Sequence, residues 1–174
     1  MKKFELTTES ITNVAGKKIF RIKALVEFGN VKAGELGGYV EKEGNVSQDG
    51  NAWVSGNAWV YGNAWVSGNV RVSGDARVSG DAKVSGNVEV SGNAKVYGNT
   101  DYASVQGFGT EFRCTTFYRS KNKKIMVNCG CFHGDLEEFR KQVKETRSGE
   151  IAKEYLMIAD LMEYHFASED SSNE

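Results

Sequence analysis

The chain of 174 residues contains no proline, three cysteines and two histidines. Three cysteines, an odd number, argue against a disulfide framework and are typical of a reducing compartment. The histidines are His133 and His165, so residues 1–132 contain no imidazole to act as a general base.

Long apolar runs and an excess of one charge are also missing. No stretch of about 18 apolar residues occurs, and the residues Met1-Lys2-Lys3-Phe4 lead into a polar segment rather than a signal peptide. The net charge is −1, so no overall field favours nucleic acid or an anionic membrane. We therefore expect a cytoplasmic protein that has neither a membrane nor a nucleic acid as its partner.

Glycine is abundant, and its spacing is regular. From Gly50 to Tyr97 the chain consists of eight consecutive hexads of the form Gly-[Asn/Asp]-[Ala/Val]-x-Val-[Ser/Tyr]. The spacing continues upstream in GYVEKE from Gly38 and GNVSQD from Gly44, and downstream in GNTDYA from Gly98. The pattern predicts eleven hexads, or 66 residues, in one register, which is typical of a repeat architecture.

Each hexad has the pattern of one short strand followed by a corner. Ala52 and Val54 are two residues apart and so point the same way from a strand, which gives an apolar inner face. Gly and Asn/Asp tolerate positive φ and favour a corner. Three hexads close a triangular coil of 18 residues, so the pattern predicts about 3.7 coils of a parallel β-helix, roughly 18 Å long.

The hexads Val-Ser-Gly-Asn-Ala-x and Val-Ser-Gly-Asp-Ala-x resemble the hexapeptide repeats of left-handed β-helix proteins, known chiefly from trimeric acyltransferases. The segments NVKAGELGGYVEKEGNVSQDGNAWV and GCFHGDLEEF are similar to bacteriophage and prophage proteins that carry this repeat. The resemblance implies a left-handed coil and a phage or prophage setting in a host cell. It does not imply acyl transfer, because the acyltransferases use a histidine base on the solenoid surface, and residues 1–132 contain no histidine.

The repeat divides the chain into four parts, and the predicted fold is mainly β. Residues 1–37 are predicted to form an N-terminal β cap with strands at 4–6 and 18–28, and residues 38–103 the left-handed β-helix. A β-hairpin and two helices follow at 104–166. The Ser-rich and acidic residues 167–174 are predicted to be a disordered tail.

The outward position of each hexad forms columns, because residues 18 apart lie above one another. The three predicted columns are Trp53-Arg71-Glu89, Trp59-Arg77-Lys95 and Trp65-Lys83-Asp101. Every tryptophan of the chain therefore lies beside a cation on the next coil, which permits cation–π contact.

Three outward tryptophans favour one of two interpretations. Either they are covered, by sister subunits at a three-fold axis and by the terminal segments, or they provide a stacking surface. In the second case Trp53, Trp59 or Trp65, with Arg71 or Arg77, binds a planar anionic ligand such as a nucleotide. The corner residues Tyr61 and Tyr97 are 36 apart, two coils, and extend either an interface or a ligand cleft.

Residues 111–132 have the pattern of a β-hairpin with its turn near Asn122. A turn at 122–123 places Cys114 opposite Cys131, and a turn at 121–122 places it opposite Cys129. In both registers the three cysteines and His133 share one face. Zinc is the chemistry that this set suggests, but Cys-x-Cys on a strand splays its ligands. We therefore favour small buried cysteines and predict no metal or other cofactor. A cysteine nucleophile paired with His133 lacks a group that orients the base.

Two helices follow the hairpin. Asp135 and Glu138 are predicted to form a capping box at the start of the first helix. The Ser-Gly pair at residues 148–149 is predicted to end it. The second runs from near Glu150 to about Phe166, with an apolar stripe so wide that it indicates contact on two sides.

These observations favour a non-enzymatic, homotrimeric protein that works by binding, since a flat triangular face is self-complementary under three-fold symmetry. The expected partner is a host protein or a small nucleotide-like molecule, and the phage resemblance suggests a role in counter-defence. The alternatives are a structural trimerisation spacer of a phage and, less favoured, a hexapeptide-repeat acyltransferase.

Overall fold

The computed structural model describes residues 1–170, with side chains for residues 1–167. The chain divides into two compact units between Asn99 and Thr100. The first contains the N-terminal strands and the repeat, and the second contains an antiparallel sheet with two helices. Among the described residues, no helix is long and apolar enough to cross a membrane.

The N-terminal strands extend one side of the solenoid. Strands β1 (Phe4–Thr12), β2 (Lys18–Ala24) and β3 (Leu36–Val40) are antiparallel neighbours. The first two confirm the predicted pair of strands. The second ends four residues earlier than predicted, because the chain turns back between Phe28 and Val31, which form a bridge around Gly29 at φ +53°.

The eight regular hexads form eight parallel strands of two residues, each consisting of the outward residue and the following valine. They are β4 (Trp53–Val54), β5 (Trp59–Val60), β6 (Trp65–Val66), β7 (Arg71–Val72), β8 (Arg77–Val78), β9 (Lys83–Val84), β10 (Glu89–Val90) and β11 (Lys95–Val96). The pairs are β4 with β7, β5 with β8, and β6 with β9, with residues 18 apart in register. A parallel β-solenoid with three strands per turn is therefore confirmed.

The interior and the corners use different residues of the hexad. The valines of the strands and the Ala/Val residues two positions before them are buried throughout. Glycine alone takes positive φ at the corners, for example 69° at Gly50. The following Asn/Asp residues instead stack by side-chain hydrogen bonds, with Asn51 Nδ2 donating to Asn69 Oδ1 at 3.0 Å and Asn69 Nδ2 to Asn87 Oδ1 at 2.9 Å.

The first two hexads are not in the predicted register. Tyr39 pairs with Trp59 and Val46 bridges Val66, so this turn contains 20 residues rather than 18. The two extra residues are Gln48 and Asp49, inserted between the Val-Ser corner and Gly50. The prediction of eleven hexads in one register is therefore wrong at this end, because the glycine spacing runs through the insertion without marking it.

The solenoid also ends earlier than predicted. Residues Asn99–Asp101 form a 3-10 helix, and the next strand, β12 (Tyr102–Val105), pairs with a strand of the second unit. Counted from Tyr39 to Lys95, the solenoid has three turns rather than 3.7 coils. The third predicted column is confirmed for Trp65 and Lys83 but does not continue as a strand at Asp101.

The second unit is a four-stranded antiparallel sheet with two helices on one face. Its order is β12, β13 (Thr115–Arg119), β14 (Ile125–Cys129) and β15 (Phe132–Asp135), followed by α1 (Leu136–Thr146) and α2 (Gly149–Asp170). The core beneath the helices consists of Phe117, Val127, Leu136, Phe139, Val143, Tyr155, Ile158, Ala159, Met162 and Phe166. The predicted hairpin is thus the centre of a larger sheet.

The predicted helix starts are confirmed, and the last helix is longer than predicted. Asp135 Oδ1 accepts from the Glu138 N–H at 3.0 Å, and Glu138 Oε2 accepts from the Asp135 N–H at 2.8 Å, which is the predicted capping box. Helix α2 extends to Asp170 and so includes the first four residues of the predicted tail. The rest of that tail, residues 171–174, lies outside the described residues.

The hairpin register differs from both predicted registers. Thr115 pairs with Cys129, because the turn has a three-residue loop in which Lys123 takes φ 62°. Directly paired residues share a face, so Cys114 lies on the opposite face of the sheet from Cys129. Cys131 lies not in a strand but in the two-residue turn after Cys129. The prediction that the three cysteines share a face with His133 is therefore wrong.

Candidate functional site

The outward residues of the solenoid define three faces. Face A carries Trp53, Arg71 and Glu89. Face B carries Tyr39, Trp59, Arg77 and Lys95. Face C carries Trp65 and Lys83.

On face A the tryptophan is covered by the N-terminal segment. Trp53 is 5% exposed, and its ring lies edge to face with Phe4 and Phe28, at centroid distances of 6.3 and 5.4 Å. Its Nε1 is buried with no hydrogen-bond partner among the described residues. The faces of this indole are therefore occupied by the protein itself and offer no stacking surface.

Beside Trp53, face A opens into a groove. The groove has a volume of about 220 Å³, with the 29–35 loop on one side. Its lining residues are Gly29, Asn30, Val31, Glu35, Asn51, Trp53, Ser55, Arg71, Ser73 and Glu89. Every outward residue of face A therefore contributes to it.

On face B two aromatic rings, Tyr39 and Trp59, are followed by two cations, Arg77 and Lys95. The Arg77 guanidinium carbon lies 4.2 Å from the centroid of the Trp59 ring, and Lys95 occupies the next strand. An exposed cation–π pair of this kind contributes roughly 0.5–1 kcal/mol. Neither Arg77 nor Lys95 forms an ion pair with any described residue. Both cations thus remain available on a partly exposed surface.

The same row continues across the N-terminal strands. Arg21 lies 5.4 Å from the Tyr39 ring centroid and donates from Nη1 to Glu9 Oε1 at 3.1 Å. The Tyr39 hydroxyl also donates to Glu9 Oε1, at 2.9 Å. The Tyr39 hydrogen bond and the Arg21 contact hold the pKa of Glu9 below its usual value. This end of the row is therefore internally neutralised, unlike the end at Arg77 and Lys95.

The two corner tyrosines follow the predicted geometry. The Tyr61 N–H donates to Val78 O at 3.0 Å, and the Ser79 N–H donates to Val96 O at 2.8 Å, so Tyr61, Ser79 and Tyr97 follow one corner. Ser79 is buried, whereas Tyr97 is 48% exposed. The Lys95 ammonium lies 5.9 Å from the Tyr97 ring centroid, which joins this corner to face B.

Face C differs from the other two. Trp65 is 43% exposed, the most of the three tryptophans, and Lys83 beside it is also exposed. Within the first unit the N-terminal strands extend the sheet of face B and leave face C without such an extension.

The sequence did not single out the residues that close the first coil. The Lys3 ammonium donates to Gly50 O at 3.3 Å and Ala52 O at 3.0 Å. Asn45 Nδ2 donates to Gly62 O at 3.2 Å and Ala64 O at 2.8 Å. A lysine near an N-terminus and an asparagine in a degenerate hexad carry no sequence signal of this role.

The cysteines and histidines all lie in the second unit. Thr115 Oγ1 donates to Cys129 Sγ at 3.1 Å. Burial raises the pKa of the Cys114 thiol, which disfavours the nucleophilic thiolate. His133 Nδ1 lies 2.5 Å from Asn128 Oδ1, which orients the ring. Within the described part of the chain, no three His, Cys, Asp or Glu side chains are grouped so that they could hold a metal.

A small cavity lies beside two of these cysteines. It has a volume of about 80 Å³ and is lined by Cys129 and Cys131 together with Arg113, Arg147 and the Tyr155 ring. This volume holds two or three water molecules at about 30 Å³ each, which is too small for an organic ligand. His165 lies in helix α2, so neither histidine is part of the solenoid.

The structure defines a protein of the parallel β-solenoid class, with an N-terminal β cap and a second, α+β unit. The repeat matches the family model described as the YdcK beta-solenoid repeat, at residues 52–68, 64–80 and 70–86. These matches overlap and cover residues 52–86, so the likeness concerns the solenoid and not the flanking segments. No curated protein matches the chain.

Proposed function

We propose that this chain is a non-enzymatic binding protein, a homotrimer that acts in a phage or prophage setting and in counter-defence. The observation that carries the proposal is the row on face B, where Arg77 lies against Trp59 and Lys95 follows on the next strand. Such a row has the chemistry to recognise a planar or anionic ligand.

The ligand class that face B favours is a small nucleotide-like molecule. The Trp59 ring holds the guanidinium of Arg77 by one face and leaves its N–H groups to donate at the edges. Lys95 adds a second cation about 4.8 Å along the sheet, near enough for both to contact one phosphate group. The exposed ring of Tyr97 supplies a surface on which a base can stack.

Trimer formation is proposed to use face C. An exposed indole on a flat, regular face is apolar area that an interface would bury. Face C presents Trp65 and Lys83 in register on two successive turns, and copies of one flat face can close around a three-fold axis. The left-handed coil implied by the hexapeptide resemblance belongs to the same proposal.

Binding without catalysis is proposed because the groups of the familiar acyl-transfer route are not on the solenoid. Those enzymes use a histidine base at the solenoid surface, and here both histidines lie in the second unit. Turnover of an acyl-CoA that is lost in His133→Ala would overturn this part of the proposal.

Native mass spectrometry of gently purified protein tests the proposal directly. We expect a trimer carrying a small molecule that is released on heating and has the mass of a nucleotide. In the double variant Arg77→Gln and Lys95→Gln the bound fraction should fall at least tenfold. Arg71→Gln changes the same hexad position on face A and should leave the bound fraction unchanged.

Two other results would redirect the proposal. A host protein identified by mass and lost from the double variant would assign face B to protein binding. A trimer that carries neither a small molecule nor a host protein would favour the structural spacer. The regular columns of stacked Asn and Asp side chains, such as Asn63 Nδ2 donating to Asp81 Oδ1 at 3.0 Å, suit a rigid rod of that kind.

A further inference from the structure

We infer that the groove on face A is a second binding site, which takes one uncharged, polyhydroxylated ring of monosaccharide size. The inference does not depend on face B or on the trimer. It stands on the size of the groove, its charge and the nature of its floor.

The size limits the ligand to about one ring. The groove measures about 220 Å³, below the roughly 300–1,000 Å³ of sites for drug-sized ligands. It holds about seven waters at ~30 Å³ each, room for a single furanose or pyranose ring. A base, ribose and phosphates together would not be enclosed.

The charge argues against an anion. Arg71 is the one cation among the lining residues, and Glu35 and Glu89 are carboxylates. A phosphate placed near Arg71 would therefore meet two like charges, which cancel the attraction. A hydroxyl group both donates and accepts, so a neutral polyol can donate to the carboxylates and accept from the guanidinium.

The remaining lining residues have the same dual character. Asn30 offers an amide with one acceptor and two donors, and Ser55 and Ser73 offer hydroxyls on successive turns. Asn30 lies in the turn that Gly29 forms at φ +53°, so the backbone fixes one wall of the groove. Mixed donors and acceptors on fixed walls suit a ligand whose hydroxyls point in several directions.

The floor supplies an apolar surface. Trp53 and Val31 line the groove, and both are largely buried, so they are held in place by their own packing. The Phe28 ring at 5.4 Å fixes the indole. The C–H face of a sugar ring is apolar, so its contact with this floor removes apolar area from water on both sides.

The test is a titration followed by NMR of the three indole N–H signals, assigned by single Trp→Phe variants. The probes are glucose, galactose, mannose, N-acetylglucosamine and ribose, with inorganic phosphate and ADP as anionic comparisons. We expect at least one sugar to shift the Trp53 signal saturably, with a millimolar dissociation constant typical of one-ring ligands. Phosphate should not shift it.

Matched variants locate the site. Glu35→Gln keeps the acceptor that the Lys32 N–H uses at 3.1 Å, so the loop retains its shape. It should weaken sugar binding at least fivefold, as should Arg71→Gln, whereas Arg77→Gln on face B should not. An unchanged melting temperature in each variant excludes misfolding as the cause.

Two results would overturn the inference. One is that none of the five sugars shifts the Trp53 signal saturably. The other is that phosphate or ADP shifts it more strongly than any sugar does. Neither result bears on face B. The nucleotide proposed to bind there should be lost in the double variant Arg77→Gln and Lys95→Gln, and it should be retained in Glu35→Gln.

Discussion

Single side chains close the edges of the first coil where no strand pairs with it. On face A the Lys3 ammonium occupies the place of strand N–H groups by donating to Gly50 O and Ala52 O. Lys3 is 4% exposed, and burial lowers its pKa to about 8, although Asp49 acts in the opposite direction. The repeat therefore depends at this end on a buried charge that water does not solvate.

The Lys3 charge makes stability depend on pH in a defined direction. The pKa is lower in the folded protein than the usual 10.5, so between about pH 8 and 10.5 the unfolded chain binds more protons. Stability therefore rises with pH across this window, by up to ~1.4 kcal/mol per unit and ~3 kcal/mol in all. Below pH 8 Lys3 is protonated in both the folded and the unfolded state, and the free-energy cost of burying its charge is fully present.

Lys3→Met should remove this rise. We expect the difference in unfolding free energy between the wild-type protein and Lys3→Met to grow in favour of the wild type from pH 8 to 10. Urea denaturation at pH 7, 8, 9 and 10 measures it, and the subtraction cancels the other lysines and tyrosines. A difference that is constant with pH would mean that Lys3 titrates as in water.

Two corner glycines allow backbone strain to be separated from steric conflict. Gly80 and Gly86 both have positive φ, 63° and 91°. A Cβ on Gly80 would collide with the carbonyl of Tyr97 on the next turn, whereas one on Gly86 meets nothing within 4 Å. Gly86→Ala should therefore cost about 1–2 kcal/mol of strain, and Gly80→Ala at least ~2 kcal/mol more. If urea denaturation shows the same loss of unfolding free energy in Gly80→Ala and Gly86→Ala, the predicted collision is wrong.

At the scale of elements, the two-residue insertion attaches strand β1 to the solenoid. Gln48 Oε1 accepts from the Lys3 N–H at 2.7 Å and the Phe4 N–H at 3.2 Å, and Gln48 Nε2 donates to Phe4 O at 3.3 Å. The insertion that breaks the register thus provides the side chain that pairs with the N-terminal strand.

Gln48→Ala should loosen β1 without opening the coils. Loss of three hydrogen bonds at about 0.5–1.5 kcal/mol each predicts a destabilisation of roughly 3 kcal/mol. Hydrogen exchange should accelerate at the Lys3 and Phe4 amides and not at Arg77. The control Asn57→Ala removes one exposed hydrogen bond, to Asp75 at 3.3 Å, and should change stability by less than ~0.5 kcal/mol. Uniform acceleration would show that β1 and the coils open together.

The same elements show what the sequence could predict. The columns of regular hexads follow from a period that fixes which residues lie 18 apart, so Trp53 over Arg71 was predictable. The register of the first turn was not predictable. Gly38, Gly44 and Gly50 keep their spacing of six, while the paired strand residues are 20 rather than 18 positions apart. The hairpin register was not predictable either, since Lys123 adopts a conformation usually left to glycine.

For the whole molecule, the sequence predicted which residues face outward but not which faces are covered. Whether a face of the solenoid is covered depends on where segments distant in sequence pack. Phe28 contacts Trp53 because the chain turns back between Phe28 and Val31. Likewise Tyr39 joins face B through the insertion, and the groove beside Arg71 has a wall from the same loop. Periodicity fixes the columns, whereas tertiary packing decides which of them forms a site.

The proposed trimer predicts that face C is sensitive to charge. Trp65→Glu replaces the indole that an interface would bury with a carboxylate beside Lys83. The lost apolar contact and the cost of taking this ion pair out of water should dissociate the trimer into monomers. The fold should persist, since Trp65 is 43% exposed within one chain and contributes little to its core. Leu25→Glu is the matched control, because Leu25 is 39% exposed and its N–H donates to Lys3 O at 2.8 Å, in the N-terminal segment rather than in a hexad. Native mass spectrometry and light scattering should give a trimer for Leu25→Glu and monomers for Trp65→Glu. A wild-type monomer, or a trimer that survives Trp65→Glu, would assign the exposed indole to another role.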